Sequence, residues 1–272
     1  MISIFASRMW RSKSPDGHLA PFSAVIRGSQ IAERIGARLN PAEGYERDTC
    51  VYVKQYPEDT DKFSRPPYLD IVDGWRLYHL LKVHPEIPVI VCSRADLETV
   101  RSKFTNHLTL IPQQNCNFER VQRTRQGVHV VGILGTWYAW QFIPSGLEAA
   151  LSERGMRLWQ YSDFVCRQDV VNFYQNIDVQ IVWRPYAKKL SNPLKLVNAA
   201  SFGVPTIALI EPSFGELADC YLPVETVDEL LARIDRLFSS PSMYADYSRR
   251  GIEKAEAYHI DRVAVMYEEL DP

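Results

Sequence analysis

Two hydrophobic patterns alternate along most of this chain. Short unbroken apolar runs predict strands buried on both faces, and stretches whose apolar positions recur every three or four residues predict helices. In the second half, His129–Leu134, Arg157–Tyr161, Asp178–Trp183 and Pro205–Ile210 read as strands. Between the first two, Pro144–Arg154 places Leu147, Ala150 and Leu151 on one helical face, and Gly155 stands where a C-terminal cap belongs. Asp169–Asn176 is a short helix. Asn192-Pro193 starts another, since asparagine caps free N–H groups and proline fits the first turn. That helix runs through Ala199 and stops at Gly203. Thr226 with Glu229 makes a capping box ahead of a helix that turns Leu230, Leu231, Ile234 and Leu237-Phe238 inward. Helices over about 242–258 and 261–270 close the chain.

The first half is less regular. Ile2–Ala6, Cys50–Lys54, Tyr68–Val72, Pro88–Cys92 and Leu108–Ile111 read as strands. Ser29–Leu39, Trp75–Val83 and Asp96–Phe104 read as helices, and no internal repeat stands out by residue identity. Strands alternating with helices predict an α/β protein with parallel sheets covered by helices.

Length and charge turn this into two domains. The 272 residues allow one large domain or two of moderate size. Residues 1–125 carry 18 Lys+Arg and 14 Asp+Glu, net +4, whereas residues 126–272 carry 13 and 19, net −6. The polar stretch Gln113–Gln126 between them has the composition of a linker. The predicted domains are therefore residues 1–118 and 127–272. The overall net charge of −2 argues against a general nucleic-acid or membrane-surface binder.

Five cysteines without CxxC spacing exclude a zinc ribbon or disulfide scaffold and fit a reducing compartment. The longest apolar stretch, Val130–Trp140, contains two glycines and is too short for a transmembrane segment. Residues 1–7 lack the basic start and long apolar run of a secretory signal. A cytoplasmic location is expected.

The stretch Ser191-Asn-Pro-Leu-Lys-Leu-Val-Asn-Ala-Ala-Ser-Phe-Gly-Val-Pro-Thr-Ile-Ala208, followed by Ser213-Phe-Gly-Glu216, resembles the donor-binding segment of glycosyltransferases of GT-B fold. The group it is most similar to is the retaining "group 1" (GT4-like) family. Upstream, Pro88–Ser93, Asp96–Phe104 and Leu108–Gln113 resemble the end of that family's first domain, and Ala24–Gly36 resembles its first helix. The resemblance implies two Rossmann-like domains, the compact first on the acceptor side and the second binding a nucleotide diphosphate-sugar. It implies a metal-independent sugar transfer with no cofactor, no nucleic-acid partner, and an acceptor that is a glycan, a lipid or a small molecule. Two departures stand out. Asn198 and Leu190 occupy the positions of the family's paired glutamates, and Gly135-Thr136-Trp137-Tyr138 stands where an Arg and a Lys are usual.

Physical chemistry supports a donor site in this segment. Ligands of open parallel sheets bind beyond the carboxyl ends of the strands, where helix N-termini present N–H groups and a positive dipole end to phosphates. Lys195 and Arg184 are the catalytic candidates, stabilising a departing diphosphate; the alternatives are a solvated helix residue and a snorkelling strand-end arginine. Gly135, Thr136, Asn192, Leu194, Asn198 and Glu216 are the donor-binding candidates. For Gly135-Thr136 the alternative is a tight turn, and for Glu216 a local helix cap. Gly203 reads as a helix stop. On the acceptor side, His18 in the loop after the first strand and Arg27 at a helix start are candidates, against solvated roles for both.

The Asp70/Asp73 pair has general acid/base spacing but reads better as a structural hydrogen-bonding pair. Trp137, Tyr138 and Trp140 either stack on a base or sugar or pack internally. Two rival functions remain: a non-catalytic nucleotide or sugar binder of the same fold, and, ranked last, a sugar-nucleotide epimerase, for which the second half offers only His129 and His259.

Overall fold

The structure is a computed structural model that describes residues 1–6, 23–122, 127–135, 140–185 and 189–270. The chain divides into two compact units: residues 1–114, 188–192 and 260–272 form unit 1, and residues 115–187 and 193–259 form unit 2.

Unit 1 holds a six-stranded, all-parallel sheet of β1 (Ile2–Ala6), β2 (Arg38–Leu39), β3 (Thr49–Val53), β4 (Tyr68–Asp70), β5 (Val89–Val91) and β6 (Leu108–Leu110). Its order is β2-β1-β3-β4-β5-β6. The runs ISIFA, TCVYV and VIV are rich in β-branched and aromatic side chains and are buried on both faces, as parallel strands under helices must be. A wide π-helical turn, Ala24–Ser29, leads into α1 (Gln30–Ile35). Gly28 in that turn lets the helix lie against β1, since a Cβ there would stand 2.6 Å from the Cβ of Ala6. α2 (Tyr78–Val83) follows a 3-10 turn at Trp75–Leu77. α3 (Arg94–Arg101) starts at Ser93, whose hydroxyl accepts the Asp96 N–H at 3.0 Å.

Unit 2 holds a five-stranded parallel sheet of β7 (Val130–Leu134), β8 (Arg157–Tyr161), β9 (Val179–Val182), β10 (Thr206–Leu209) and β11 (Tyr221–Val224), in the order β11-β10-β9-β7-β8. Its helices are α4 (Leu147–Glu153), α5 (Arg167–Asn176), α6 (Leu194–Ser201), α7 (Val227–Ser239) and α8 (Pro241–Ala255). The alternation of side chains along β7 sorts them between two cores. Val131 and Ile133 join Ile181, Ile207, Leu230 and Ile234 on one face, and Val130 and Leu134 join Phe173, Tyr174 and Phe202 on the other. α6 stops where expected, at Gly203 with φ +65°. The expected cap at α7 forms in part: Thr226 Oγ1 accepts the Glu229 N–H, but the Glu229 carboxylate accepts the N–H of Glu225, one residue before the N-cap, instead of that of Thr226.

Two sequence expectations about domain limits are corrected. The last helix, α9 (Ile260–Glu268), belongs to unit 1 rather than to residues 127–272. It packs on α1, Arg34 pairs with Asp261, and Tyr267 is fully buried. An amphipathic pattern shows that a helix has a partner without saying which. The second correction concerns the linker. Residues 115–117 are sewn into unit 2: Asn115 Nδ2 donates to Ala255 O at 3.0 Å and Asn117 Nδ2 to Ser201 O at 2.8 Å, with both side chains buried. With the segments reassigned, unit 1 carries 18 basic and 17 acidic residues and unit 2 carries 13 and 16. Most of the charge asymmetry of the linear halves thereby vanishes.

Candidate functional site

The order of unit 2 places a topological switch between β7 and β9: β8 lies on one side of β7, and the chain then returns to the other side to lay down β9, β10 and β11. Ligand sites of open α/β sheets form outside the carboxyl ends of the strands at such a switch. Lys195, in the first turn of α6, reaches it. Its ammonium donates to the carbonyl of Leu134, the last residue of β7, at 2.6 Å. The positive end of the helix dipole and a lysine are thus brought to one strand end.

The other expected donor residues separate into distinct roles. Pro193 takes the N-cap position of α6, one residue after Asn192, and proline's fixed φ suits this boundary. Asn192 also falls in unit 1, whereas Leu194 is the first residue of α6 in unit 2. The N–H of Gly135 bonds Tyr161 O at 3.1 Å, extending the β7–β8 ladder instead of facing an anion. Thr136 lies outside the described residues, as do Trp137 and Tyr138.

Asn198 is buried, and its Oδ1 accepts the Cys116 N–H at 2.9 Å, so the residue anchors the start of unit 2. Glu216 does not cap a helix; its carboxylate accepts the Tyr258 hydroxyl at 2.9 Å. Arg184 ends in a 2.6 Å ion pair with Glu211, their side chains 11% and 6% exposed. These residues lie two positions beyond β9 and β10, which are neighbouring strands. Glu211 was missed in the sequence because a partner 27 residues away leaves no local periodicity.

In unit 1, Arg27 is a buried structural residue rather than an exposed acceptor contact. It pairs with Asp70 at 2.7 Å, both side chains 0% exposed, and donates to the carbonyls of Ile111 and Pro112 at 2.9 and 2.8 Å. Burial works against the guanidinium charge, but Asp70 together with Cys92 and Tyr267 more than offsets it and holds the pKa above the usual arginine value. The Tyr267 hydroxyl donates to the same Asp70 oxygen at 2.9 Å. Burial pushes that phenol well above its ordinary pKa. The Asp70/Asp73 pair is therefore split: Asp70 faces Arg27, and Asp73 pairs with Lys54 at 2.7 Å. His18 lies outside the described residues.

Leu190, at one glutamate position of the resembled motif, is buried in the unit 1 core with Leu69 and Ile71. Its neighbour Ser191 is held by Ser93 and Asp96. Of the two histidines an epimerase would draw on, His259 is buried against Phe118 O, and His129 is exposed.

Among the described residues, no three His, Cys, Asp or Glu side chains converge to hold a metal ion, and no helix is long and apolar enough to cross a membrane.

No protein-family model matches the sequence, and no curated protein does. Solved structures match on fold. T4 phage β-glucosyltransferase superposes with a TM-score of 0.59 at 10% identity, over 98% of this chain and 98% of that one. The phage protein is a DNA-modifying enzyme studied with and without uridine diphosphoglucose. Anabaena HepE, bound to UDP and glucose, matches with a TM-score of 0.56 at 12% identity, over 82% of this chain and 71% of that one. The pneumococcal O-GlcNAc transferase GtfA, bound to UDP and GlcNAc, matches with a TM-score of 0.54 at 12% identity, over 83% and 52%. The chain has a glycosyltransferase fold. Its two parallel α/β units are the Rossmann-like halves that the GT-B resemblance implies. It spans about half the length of GtfA and nearly all of the phage enzyme.

Proposed function

We propose that this chain transfers a sugar from a nucleoside diphosphate-sugar, held at the carboxyl edge of the unit 2 sheet, to an acceptor hydroxyl. The observation that carries this reading is the Lys195 ammonium at the end of β7, at the switch point, on the first turn of α6. As the bond between sugar and diphosphate breaks, negative charge grows on the leaving phosphate. A fixed lysine and a helix N-terminus stabilise that charge more in the transition state than in the ground state, which is the source of acceleration. The reaction on this reading needs no metal, because the cationic charge comes from the chain itself. Arg184, neutralised by Glu211, shapes the site and supplies little net charge.

The acceptor side is assigned to unit 1, and the acceptor to a glycan, a lipid or a small molecule. Near-neutral charge on unit 1 speaks against nucleic acid. Since one structural match that spans nearly all of both chains is to a DNA-modifying enzyme, duplex DNA belongs in the acceptor panel all the same.

The test is calorimetry with UDP, GDP, dTDP and CMP compounds, followed by detection of donor hydrolysis with and without EDTA. Binding of one diphosphate and turnover that survives EDTA support the proposal; no binding by any of them overturns it. One observation favours a second reading, a non-catalytic nucleotide or sugar binder. Asn198 and Leu190 replace both glutamates of the resembled motif, and both are buried in structural contacts. Binding without any turnover would select that reading.

A further inference from the structure

The connection from β3 to β4 contains no helix. Residues 54–67 cross between the strands as an irregular loop in which Pro57, Pro66 and Pro67 interrupt any helical run. The strand order steps the same way from β3 to β4 as from β4 to β5, so right-handed crossovers put this loop on the face of the sheet that α2 covers. Where a helix would fill that layer, a groove of about 470 Å³ remains between the loop and the α2 side, reaching Leu80, His84 and Glu86. His84 and Glu86 lie just before β5, so the groove extends towards the amino ends of the strands, away from the carboxyl edge.

The groove has an aromatic wall with a firm backing. Tyr56 and Phe63 line it, and each ring centroid lies 6.1 Å from that of Tyr52, which stacks on Phe5. The Tyr56 hydroxyl is held by Pro67 O at 3.1 Å, and the loop is pinned by the Ser64 N–H on Glu46 O at 2.9 Å. Beside Pro57, Pro66 and Leu80, the lining carries charges of both signs: Glu58, Asp61 and Glu86, the last in contact with His84 at 3.0 Å, offer acceptors, and Arg65 offers donors. An anion would meet three carboxylates, and a cation would meet Arg65 and the neighbouring Lys62, whose ammonium lies 5.3 Å from the Phe63 ring. An uncharged polyol suits both sets. Its hydroxyls donate to carboxylates and accept from a guanidinium, while its C–H faces pack on the rings. The volume falls within the roughly 300–1,000 Å³ of small-molecule sites.

We propose that this groove is an ancillary binding site for a neutral oligosaccharide, separate from the nucleotide-sugar site. It stands on the geometry of unit 1 alone and does not depend on the glycosyltransferase reading.

The test uses the full chain in backbone-amide NMR, titrated with maltotriose, chitotriose and xylotriose, with glucose 1-phosphate and glucosamine as charged comparisons. The expected result is saturable shifts at residues 56–66 and 80–86 with at least one trisaccharide. Affinity should fall about tenfold in the Glu58→Ala/Arg65→Ala variant, whose side chains are exposed, and also in Glu86→Gln. The UDP-glucose response is recorded in parallel and should not change in either variant, so that failure of this site and failure of the donor site are read separately. No saturable shift in the groove with any trisaccharide, undiminished affinity in both variants, or tighter binding of either charged sugar would overturn the proposal.

Discussion

Two arginine–carboxylate pairs, one in each unit, sit at the carboxyl ends of parallel strands. In unit 1, Asp70 ends β4 and holds Arg27, with both side chains fully buried. In unit 2, Glu211 follows β10 and holds Arg184, with Glu211 buried and Arg184 only slightly exposed. The first pair is surrounded by further structural partners: two backbone carbonyls at the end of β6 and the Tyr267 hydroxyl from α9. The second lies on the edge of the sheet where a ligand of such a fold binds. The same residue types at equivalent places thus do different work. Full burial among structural partners ties the unit 1 pair to the integrity of the fold, whereas the unit 2 pair, though largely buried, keeps a slightly exposed guanidinium at the carboxyl edge of its sheet.

The sharpest break in that comparison is Asp70→Leu. It leaves the Arg27 charge buried without its partner and should cost about 3–5 kcal/mol, a large part of ordinary domain stability. Urea unfolding would measure it. The double variant Arg27→Met/Asp70→Leu removes both charges and should recover most of the loss, because an apolar replacement of a buried pair is often near neutral. A loss below about 1 kcal/mol in the single variant would show that the pair does not support the fold.

Lys195→Ala tests the other unit by function rather than stability. Its side chain is partly exposed, so the melting temperature should move far less than in Asp70→Leu. Donor turnover should fall about a hundredfold, the scale for removing one transition-state electrostatic contact. Unchanged turnover would sink the proposed role. Glu211→Gln comes next in size. It removes the countercharge of Arg184 but keeps a hydrogen-bond acceptor, and should cost roughly 1–3 kcal/mol, less than Asp70→Leu, which removes both. A cost equal to that of Asp70→Leu would erase the distinction between the units.

What the sequence made legible follows from the range of the interactions. Strands such as Ile2–Ala6 and His129–Leu134 and the helix opened by Thr226 are local patterns, and they lie within a residue or two of their expected places. Two strands escaped: β2, two residues that the expected Ser29–Leu39 helix covered, and β11. The latter is four residues long, lies at the edge of the sheet and contains Pro223, which demotes a run to a non-strand on inspection. The place of Lys195 on the first turn of α6 was legible because a helix start is a local signal, whereas its contact with Leu134, 61 residues away, was not. The roles of Arg27, Asn198 and Arg184 were not legible either. Each is decided by a partner 27 to 82 residues away: Asp70, Cys116 and Glu211. A polar residue at a helix start or strand end looks the same in sequence whether it faces water or another buried group.

A third pair extends the comparison to the surface and carries its smallest predicted effect. Arg167 makes a two-pronged contact with Glu119, at 2.6 and 2.9 Å, with the Glu119 side chain 52% exposed. The Arg167 hydrogen bond holds the Glu119 carboxyl below its usual pKa. A lowered carboxylate pKa means that the stabilisation is fully present above the unfolded value of about 4.3 and is lost as the pH falls through the folded value. Glu119→Gln should therefore cost at most about 1 kcal/mol at neutral pH, and the difference from the parent should shrink to nothing under more acidic conditions. It should also shrink in about 1 M salt, where the Debye length is near 3 Å, whereas the cost of Asp70→Leu should persist there because its pair is shielded from ions. Parallel urea titrations of the two variants at low and high salt would show whether burial, rather than hydrogen-bond geometry, sets the worth of each pair.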